Sequence, residues 1–496
     1  MDKNNKVFKD ILTSDYEQNI SKIEQMLTDC PDIVRTKVYS NMDSEGCFFY
    51  VQGLVDVDLI QRDFINPVIN LKDSNYNQFN FLYNTIPVGS INYPVNIYDI
   101  VNEIMLGNTV FISKALEFAV SCSLKKFNKR AISEPEIEKN VRGSHDGFIE
   151  DLNTNISILR MRIKNPNLKF KIFRIGASTN QSIAIAYIQN IANDVLLQTL
   201  CEKISTVDYD GFIGIGSIEE MIIDHPYSIF PQYNITERPD KITADLLEGK
   251  FAIILESTPT VLIAPVNFYS FLQAPDDYNV PWFSGSFLRL LRMSCLFIAI
   301  FLPGLYIAII AYNYYIIPVG LLVNIAQSRS RVPFPPIIEA TVMEIFVEIL
   351  REAAIRLPTY IGSIVGVVSG LIIGQSAVEA GIVSSQMVIA VALTMIATFT
   401  IPMYDMGIAL RITRFLVMIA AAVFGMVGIM ISILLLIAHL VVLESLGQPY
   451  LQPIEPLKLR ELKDTNMRAS IKHLKRRPDI AKPKDKWRGH KNEEEK

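Results

Sequence analysis

The sequence predicts an α/β soluble N-terminal region of two subdomains, followed by an all-α polytopic membrane domain and a basic, disordered tail. Half of the 496 residues are hydrophobic, a share that is typical of a chain lying partly in a membrane. Strand-like and helical patterns alternate up to about residue 285, and long apolar segments follow. After Leu443 the chain has 14 Lys and Arg residues against 9 Asp and Glu residues. The predicted domains are 1–133, 134–285, 286–445 and 446–496.

The first soluble subdomain begins with an amphipathic helix over residues 15–27, in which Ile20, Ile23 and Leu27 recur at helical spacing. Its later segments are rich in β-branched and aromatic residues, which favour strands. The other predicted elements are strands at 47–55, 109–112 and 115–124 and a helix that follows from Val57.

The second soluble subdomain follows a charged, turn-rich linker that contains Pro135. Strands and helices alternate in it, and this order favours a sheet flanked by helices. The predicted elements are helices at 148–163, 183–204 and from Ile218, and strands at 168–175, 212–215, 252–257 and 260–266.

Two short motifs of this subdomain have structural interpretations. In GFIGIGSIEE the spacing GxGxxE lacks the third glycine of a dinucleotide fingerprint, so a strand-to-helix turn is favoured over nucleotide binding. In TERPD, residues 236–240, Pro239 fixes a turn and Asp240 is expected to cap a helix that begins near Ile242. Replacing Asp240 by asparagine, which also caps helices, should then be nearly silent.

Four membrane spans are predicted in the domain 286–445, because each is long and apolar enough to cross a bilayer as a helix. Arg289 and Arg292 precede the first span as basic anchors. The segment 316–326 is too short to span, so it is interfacial or re-entrant. The last span should tilt strongly or bend at Gly425 and Gly428. The spans are 293–312, 360–383, 386–403 and 416–442.

An amphipathic helix is predicted over residues 337–357. Its charged side chains fall within roughly 140° of one helical face, at about 100° per residue. One interpretation is an interfacial helix whose charged face is solvated and cross-linked by pairs three or four residues apart. The other is that the carboxylates, repeated around a ring of subunits, line a cation vestibule. The charged residues of this face are Glu344, Glu348, Arg351, Glu352 and Arg356.

A stripe of four glycines marks the span 360–383. Small residues repeated every four positions let two membrane helices approach closely, within the chain or between subunits. Glu379 is the only charged residue between Pro358 and Met403, and Gln375 lies one turn before it. A carboxylate in such a segment indicates an ion pathway, although its place near the end of the span also fits a solvated, interfacial group. The glycines are Gly362, Gly366, Gly370 and Gly374.

Several runs of the sequence carry a family resemblance. They include EKNVRGSHDGFIEDLNTNISILRMRIKNPNLKF, the TERPD block, FLQAPDDY, RLLRMSCLFIAIFLPGLYIAI and EILREAAIRLP. Across residues 134–455 the chain resembles the A subunit of the GerA-type spore germinant receptors. The resemblance implies a subunit of a nutrient receptor in the inner membrane of spores, with a transporter-like B subunit and a lipoprotein C subunit as partners. It also implies a homo-oligomer that conducts ions.

The charge distribution predicts the topology. A large N-terminal domain without a signal peptide and the basic tail are both expected on the cytoplasmic side, the spore core, so the number of spans should be even. The tail's lysines and arginines favour disorder next to an anionic membrane surface, and nucleic-acid binding is the less favoured alternative.

No enzyme or cofactor site is expected. The sequence contains no GxSxG, HExxH or Walker motif, and its histidines and cysteines are scattered without metal-ligand spacing. Five cysteines without a CxxC pair predict reduced thiols. A receptor and channel subunit is therefore favoured, a structural scaffold that anchors its partners is the main alternative, and a carrier is the weakest.

Overall fold

The computed structural model describes residues 11–39, 45–69, 91–114, 116–125, 138, 142–357, 370, 372 and 374–489. These residues form two compact units. The first comprises the described residues within 1–223, 233–265 and 476–496, and the second comprises 224–232 and 266–475. The domain boundaries stated above stay predictions.

The first sheet of unit 1 has five antiparallel strands in the order β1-β2-β4-β5-β3. Asp15 caps the first helix by accepting a hydrogen bond from the backbone N–H of Gln18 at 3.2 Å. The amphipathic helix predicted at 15–27 is confirmed. The elements are α1 (Tyr16–Met26), β1 (Ile33–Tyr39), β2 (Glu45–Val51), α2 (Val57–Ile60), a π-helical turn (Gln61–Ile65), α3 (Asn66–Ile69), β3 (Ile91–Asn92), α4 (Ile97–Met105), β4 (Thr109–Ser113) and β5 (Val120–Cys122).

Apolar side chains cover both faces of this sheet. Helices α1 and α4 pack on one face, where Ile20 and Ile100 are buried. On the other face Phe48 lies between two aromatic rings, with ring centroids 4.9 Å from Phe64 and 4.5 Å from Phe111. Strand β2, which is buried on both faces, therefore has a continuous apolar run, CFFYV, instead of an alternating pattern.

The second sheet of unit 1 is also antiparallel, in the order β6-β7-β9-β10-β8. Its helices α5, α6 and α8 flank it, as the alternating pattern predicts. The elements are α5 (Leu152–Arg162), β6 (Leu168–Ile175), β7 (Gln181–Ile188), α6 (Asp194–Ser205), α7 (Ile215–Ile222), β8 (Asn234–Thr236), α8 (Pro239–Leu247), β9 (Phe251–Leu255) and β10 (Val261–Ala264).

Two predictions in this sheet are wrong. The helix expected at 183–204 is a strand, β7, followed by the shorter helix α6. Strand β7 lies between β6 and β9 and is buried on both faces, so its sequence shows no alternation that would distinguish it from a buried helix. The strand expected at 212–215 is absent from the described residues, and helix α7 begins at Ile215.

A buried ion pair joins the two sheets. Arg160 of α5 donates to both carboxylate oxygens of Asp32, at 2.8 and 2.9 Å, and to the carbonyl oxygen of Leu168 at 3.1 Å. Burial opposes the charge of Arg160, but the carboxylate of Asp32 outweighs it, so the pKa of this guanidinium is raised. The two sheets consequently belong to one unit.

The five cysteines are free thiols. Cys122 is buried in the first sheet, and this burial raises the pKa of its thiol to about 12. A thiol with such a pKa stays protonated, and therefore unreactive, at neutral pH.

The basic tail is ordered over residues 446–489, so the prediction of disorder is wrong there. Residues 476–489 return to unit 1, where the backbone N–H of Lys484 donates to the carbonyl oxygen of Ile191 at 2.8 Å. Ile480 is buried, and Arg477 donates to the carbonyl oxygen of Leu247 at 2.7 Å. The prediction of disorder was based on the density of positive charge. It failed because Arg477 and Lys484 donate hydrogen bonds to backbone carbonyl oxygens, which hold the segment in place. The elements are β11 (Glu444–Ser445), β12 (Gln448–Pro449) and short 3-10 turns (Glu461–Asp464, Ile471–His473, Asp479–Ala481).

Unit 2 is helical. Among the described residues, α10 and α14 are the two helices that are long and apolar enough to cross a membrane, and α13 is a shorter apolar helix. Half of the predicted span 360–383, namely residues 360–369, 371 and 373, lies outside the described residues. The helices are α9 (Asp276–Asn279), α10 (Trp282–Ala311), α11 (Val319–Arg329), α12 (Pro336–Arg356), α13 (Ser385–Phe399) and α14 (Tyr404–Val442).

Helix α14 folds back on itself at Gly425, which confirms the predicted bend. The backbone there is not helical, with φ of 60° and ψ of −136°. Gly428 lies directly against the carbonyl group of Ala420, a residue that a straight helix would hold about 12 Å away. At the far end of the second half, His439 Nε2 is 3.0 Å from the hydroxyl of Ser228. The region predicted as one span, 416–442, therefore contains a reversal.

The directions of the helices follow from their contacts. Residues near 299 and 312 of α10 meet residues 414 and 422 of α14 in the same order, so the first half of α14 runs parallel to α10. Helix α12 runs the opposite way, because Glu344 meets Arg414 and Glu348 meets Arg411. Helix α13 runs parallel to α12.

Candidate functional site

Helix α12 is amphipathic with its charged face turned into the helical unit. Glu339 and Glu344 are fully buried, whereas Ile345, Ile349 and Ile355 lie on the outside, with exposed fractions of 48, 58 and 60%. A helix in water would show the reverse arrangement. Charges directed inward and apolar side chains directed outward are typical of a helix in a membrane.

A buried ion pair lies at the middle of this face. Glu344 Oε2 is 2.5 Å from Arg414 Nη1. The same guanidinium donates from Nε to the carbonyl oxygen of Ala299 and from Nη2 to the hydroxyl of Thr398, both at 2.8 Å. One arginine thus connects helices α10, α12, α13 and α14.

A second carboxylate lies one turn further along α12. Glu348 accepts from Arg411 Nη1 at 2.6 Å and from Arg351 Nη1 at 3.3 Å. The guanidinium of Arg351 stacks over the ring of Phe399, 5.1 Å from its centroid. We call Glu344, Glu348, Arg351, Arg411 and Arg414 the ionic cluster.

The remaining predicted pathway residues lie outside this cluster. Glu352 is exposed and pairs with Arg356 at 2.6 Å. Glu379 is exposed and accepts from the amide of Gln375 at 2.8 Å. The backbone N–H of Ser384, five residues after Glu379, donates to Glu339, so Glu379 belongs to the opposite end of α12 from Glu352. The structure therefore brings together two of the five residues, Glu344 and Glu348, and leaves the ion pathway a prediction.

The glycine stripe is described only in part. Gly362 and Gly366 lie outside the described residues. A methyl group at Gly370 would meet no atom within 4 Å, and one at Gly374 would meet only Val388, at 3.9 Å. These two glycines make no close contact with another helix in the described part of the chain, and their packing role stays a prediction.

Sequence reasoning missed two cations of the cluster, Arg411 and Arg414. The predicted spans 386–403 and 416–442 leave both arginines in the loop between them, but they lie inside helix α14, on its buried side. A signal was present, because Arg411 and Arg414 are three residues apart in an apolar run, where buried arginines require carboxylate partners.

A second group of charges lies at the start of α10. Asp277 is fully buried and accepts from Arg289 Nε at 3.1 Å and from Arg292 at 2.8 Å on each carboxylate oxygen. Arg289 also donates to Asp464 at 2.8 Å. The two arginines were predicted to anchor the chain to lipid, and instead they hold this carboxylate. We call this group the Asp277 cluster.

The Asp277 cluster joins the two ends of the helical unit. Tyr278 lies between two guanidiniums, 5.3 Å from Arg289 and 5.1 Å from Arg468. Arg468, which follows α14, also donates to the carbonyl oxygen of Val280 at 2.7 Å. The segment after the last long helix is thereby fixed to the segment before the first.

Comparison with known families identifies the chain. A family model described as the Bacillus/Clostridium GerA spore germination protein matches residues 21–480. The chain belongs to this family. Membership supports a role in spore germination.

Curated relatives of this GerA protein match over nearly their whole length. Spore germination protein KA of Bacillus subtilis (strain 168) is 37% identical over 97% of this chain and 90% of the relative. Spore germination protein B1 of the same organism is 36% identical over 96% of this chain and 99% of the relative. An uncharacterized membrane protein, YfkQ, also of Bacillus subtilis (strain 168), is 37% identical over 98% of this chain and 95% of the relative.

One solved structure also matches this GerA protein. It is the N-terminal domain of the A subunit of the Bacillus megaterium spore germinant receptor GerK3, with 26% identity and a TM-score of 0.42. The match covers 52% of this chain and 97% of that one.

The TERPD motif of this GerA protein has a second role beside the predicted capping by Asp240. Helix α8 begins at Pro239, and Arg238 at its N-cap makes no side-chain capping bond. Asp240 Oδ1 accepts from the first-turn backbone N–H of Lys241 at 2.8 Å. The same carboxylate also binds the buried guanidinium of Arg238, with Oδ1 3.1 Å from Nε and Oδ2 2.6 Å from Nη2. Arg238 also donates to the carbonyl oxygens of Glu138 and Ser144, both at 3.1 Å.

Replacing Asp240 by asparagine should consequently not be silent. The amide removes the charge that compensates a buried guanidinium, so we expect a loss of about 1–2 kcal/mol of unfolding free energy. Thermal unfolding of the full chain in detergent, followed by circular dichroism, measures this loss. Asp208→Asn, at an exposed position of the same unit, is the matched control. Equal melting temperatures for the two variants would mean that the bond to the Lys241 N–H is the only stabilising role of Asp240.

Proposed function

We propose that this chain is the membrane subunit of a nutrient germinant receptor that triggers spore germination, and that it oligomerises into a nutrient-gated ion channel. The observation that supports this most is helix α12, whose Glu339 and Glu344 are buried in the helical unit while Ile345, Ile349 and Ile355 are exposed on its outside. Its partners are the transporter-like B subunit and the lipoprotein C subunit that the family resemblance implies.

The directions of the helices support a multi-pass topology. The chain leaves unit 1 at Pro265 and rejoins it at Arg476, so the number of passes between them is even. Helix α10 and the first half of α14 run one way, and α12, α13 and the second half of α14 run the other. Since α12 ends at one end of the helical unit and α13 begins at the other, we propose the predicted span 360–383 as one further pass. This makes six passes instead of four, with unit 1 on the spore core side of the inner membrane.

Glu379 is the residue for the ion pathway. It carries an exposed carboxylate in a segment that is otherwise small and apolar, and its partner Gln375 leaves one carboxylate oxygen available. Among the described residues, a methyl group at Gly370 would meet no atom within 4 Å and one at Gly374 would meet only Val388, so we place a second subunit against these glycines. The pathway therefore lies between subunits, lined by Glu379, with Glu348 and Glu352 toward its other end.

Ion flux through the receptor complex in liposomes tests this proposal. Glu379→Gln keeps the shape and the hydrogen bond but removes the charge, so cation flux should fall about tenfold, a change equivalent to about 1.4 kcal/mol. Glu220→Gln, at an exposed position of unit 1, is the control and should conduct normally. Cross-linking of both variants must match the parent, so that flux is compared at equal assembly. Undiminished flux in Glu379→Gln would remove this residue from the pathway.

A non-conducting scaffold that anchors the nutrient-binding subunit is the second candidate. It is favoured by Glu344, whose carboxylate is committed to Arg414 and therefore not free to bind ions. A fully assembled parent complex that conducts no ions when nutrient is added would establish the scaffold and reject the channel.

A further inference from the structure

The segment that follows the last long helix exposes apolar and basic side chains together. Residues 451–475 lie within unit 2 and contain six Lys and Arg residues against three Asp and Glu residues. In the run LKLRELK, residues 457–463, leucines alternate with cations. Four apolar side chains of the segment are more than half exposed, although they lie outside the long helices. They are Leu457, Leu459, Met467 and Ile471, with exposed fractions of 64, 69, 55 and 63%.

Contacts with α10 fix the level of this segment. The backbone N–H of Arg468 donates to the hydroxyl of Ser286 at 3.1 Å, and that hydroxyl oxygen lies 2.9 Å from the carbonyl oxygen of Arg468. Met467, the preceding residue, is therefore held near the level of Ser286. The predicted first span begins at Met293, which is about 10 Å further along the helix at 1.5 Å per residue. The segment thus lies close to the point where α10 enters the hydrocarbon.

Exposed aromatic residues mark this level as the membrane interface. Trp282, Phe283 and Phe287, in the first turns of α10, have exposed fractions of 53, 72 and 63%. Aromatic side chains are enriched where hydrocarbon meets lipid headgroups. With α10 spanning the inner membrane, the segment 451–475 lies at the membrane surface on the spore core side. The inference rests on the proposed function for this membrane location.

The exposed charges of the segment favour an anionic surface. Of its three carboxylates, Glu461 accepts from the amide of Gln452 at 3.0 Å and Asp464 pairs with Arg289 at 2.8 Å. Glu455 is the third, and it is exposed. Three cations are exposed and form no ion pair with any residue that the structure describes, so the accessible charge is positive. They are Arg460, Lys463 and Lys472.

We propose that residues 454–472 dock on the anionic surface of the inner membrane. The apolar side chains lie in the headgroup region, and the cations lie against lipid phosphates. A nucleic acid would match the cations but leave the apolar side chains in water, whereas a lipid surface accommodates both. Because the Asp277 cluster fixes this segment to α10, docking also holds the start of α10 at the membrane surface.

Hydrogen exchange of the full chain in lipid nanodiscs, followed by mass spectrometry, tests this inference. Peptides from residues 454–472 should exchange at least about fivefold more slowly with dioleoylphosphatidylglycerol present than in dioleoylphosphatidylcholine alone, the equivalent of about 1 kcal/mol. The triple variant Arg460→Gln, Lys463→Gln and Lys472→Gln should lose this difference. The matched control replaces three exposed cations of unit 1, by Lys114→Gln, Lys164→Gln and Arg174→Gln, and should keep it. Equal exchange in the two kinds of nanodisc, or the same loss in the control, would overturn the proposal.

A second variant tests the apolar contacts. Leu457→Asn combined with Leu459→Asn leaves every charge in place, so exchange in the phosphatidylglycerol nanodiscs should accelerate about fivefold, toward the rate in detergent. Ile172→Asn with Ile213→Asn, two exposed positions of unit 1, is the control and should exchange like the parent. Unchanged exchange in the leucine variant would show that these side chains do not enter the lipid, against the proposal.

The rival partners and the channel proposal are separated by the same measurement. Slower exchange of residues 454–472 in detergent when duplex DNA is added, without an effect of lipid, would assign the surface to a nucleic acid. Slower exchange in detergent at higher protein concentration would assign it to a second copy of the chain. No ion flux is measured, so a chain that enters nanodiscs but leaves this segment unprotected rejects the docking and not the channel. A chain that does not enter nanodiscs rejects the membrane location and the docking together.

Discussion

Replacing Glu344 by glutamine is expected to lower the stability of the detergent-solubilised protein by about 3–5 kcal/mol. The variant keeps the size of the side chain but leaves the guanidinium of Arg414, which is 1% exposed, without its carboxylate. A buried charge that has lost its partner is destabilising by this amount because no water replaces the lost interaction.

The midpoint of thermal unfolding in detergent measures this effect. Glu352→Gln, on the same helix and in an exposed pair, is the control and should change stability by about 0.5 kcal/mol or less. Replacing Glu344 and Arg414 together by methionine should recover most of the loss, since buried ion pairs are often replaced by apolar residues without penalty. A Glu344→Gln variant as stable as Glu352→Gln would contradict the buried pair.

Asp277→Asn should have an effect of similar size, about 3–5 kcal/mol. The carboxylate compensates two guanidiniums, Arg289 and Arg292, of which Arg289 is almost fully buried. The amide leaves both cations without a charge partner at this position. Because the same cluster fixes the segment after α14, we also expect faster trypsin cleavage at Lys458 and Lys463.

Limited proteolysis separates this local effect from a general loss of stability. Glu444→Gln, at an exposed position after α14, is the control and should be cleaved at the parental rate. Accelerated cleavage of residues 458–468 together with an intact helical unit is the expected pattern for Asp277→Asn. Parental cleavage and melting temperature would show that Arg289 and Arg292 do not depend on Asp277.

Local elements were predictable where a single pattern decides them. Helix α1 follows from its apolar spacing and its capping Asp15, and the bend at Gly425 follows from a glycine within a segment longer than one span. Strand β7 was mistaken for a helix because burial on both faces removes the alternation that marks a strand.

The ionic cluster could not be predicted in the same way. Glu344 and Arg414 are 70 residues apart, and only the packing of four helices brings them together. The sequence showed that the carboxylates of α12 share one helical face. It did not show whether this face points into the helical unit or outward, because that depends on the helices packed around α12. The prediction of a disordered tail failed for a related reason. Arg477 and Lys484 bind carbonyl groups of unit 1, and the composition of the tail gives no information about where those carbonyl groups lie.

The return of residues 476–489 to unit 1 has a consequence for biosynthesis. The second sheet is complete before the ribosome reaches the membrane helices, but the segment that covers Ile191 and Gly249 is made after them. At about 5–20 residues per second, the stretch from Pro265 to Arg476 takes roughly 10–40 s to translate. For that time the nascent soluble part has an uncovered apolar surface. If translation stops before residue 476, the membrane helices are therefore complete, but the apolar surface of the soluble part that residues 476–489 normally cover stays exposed.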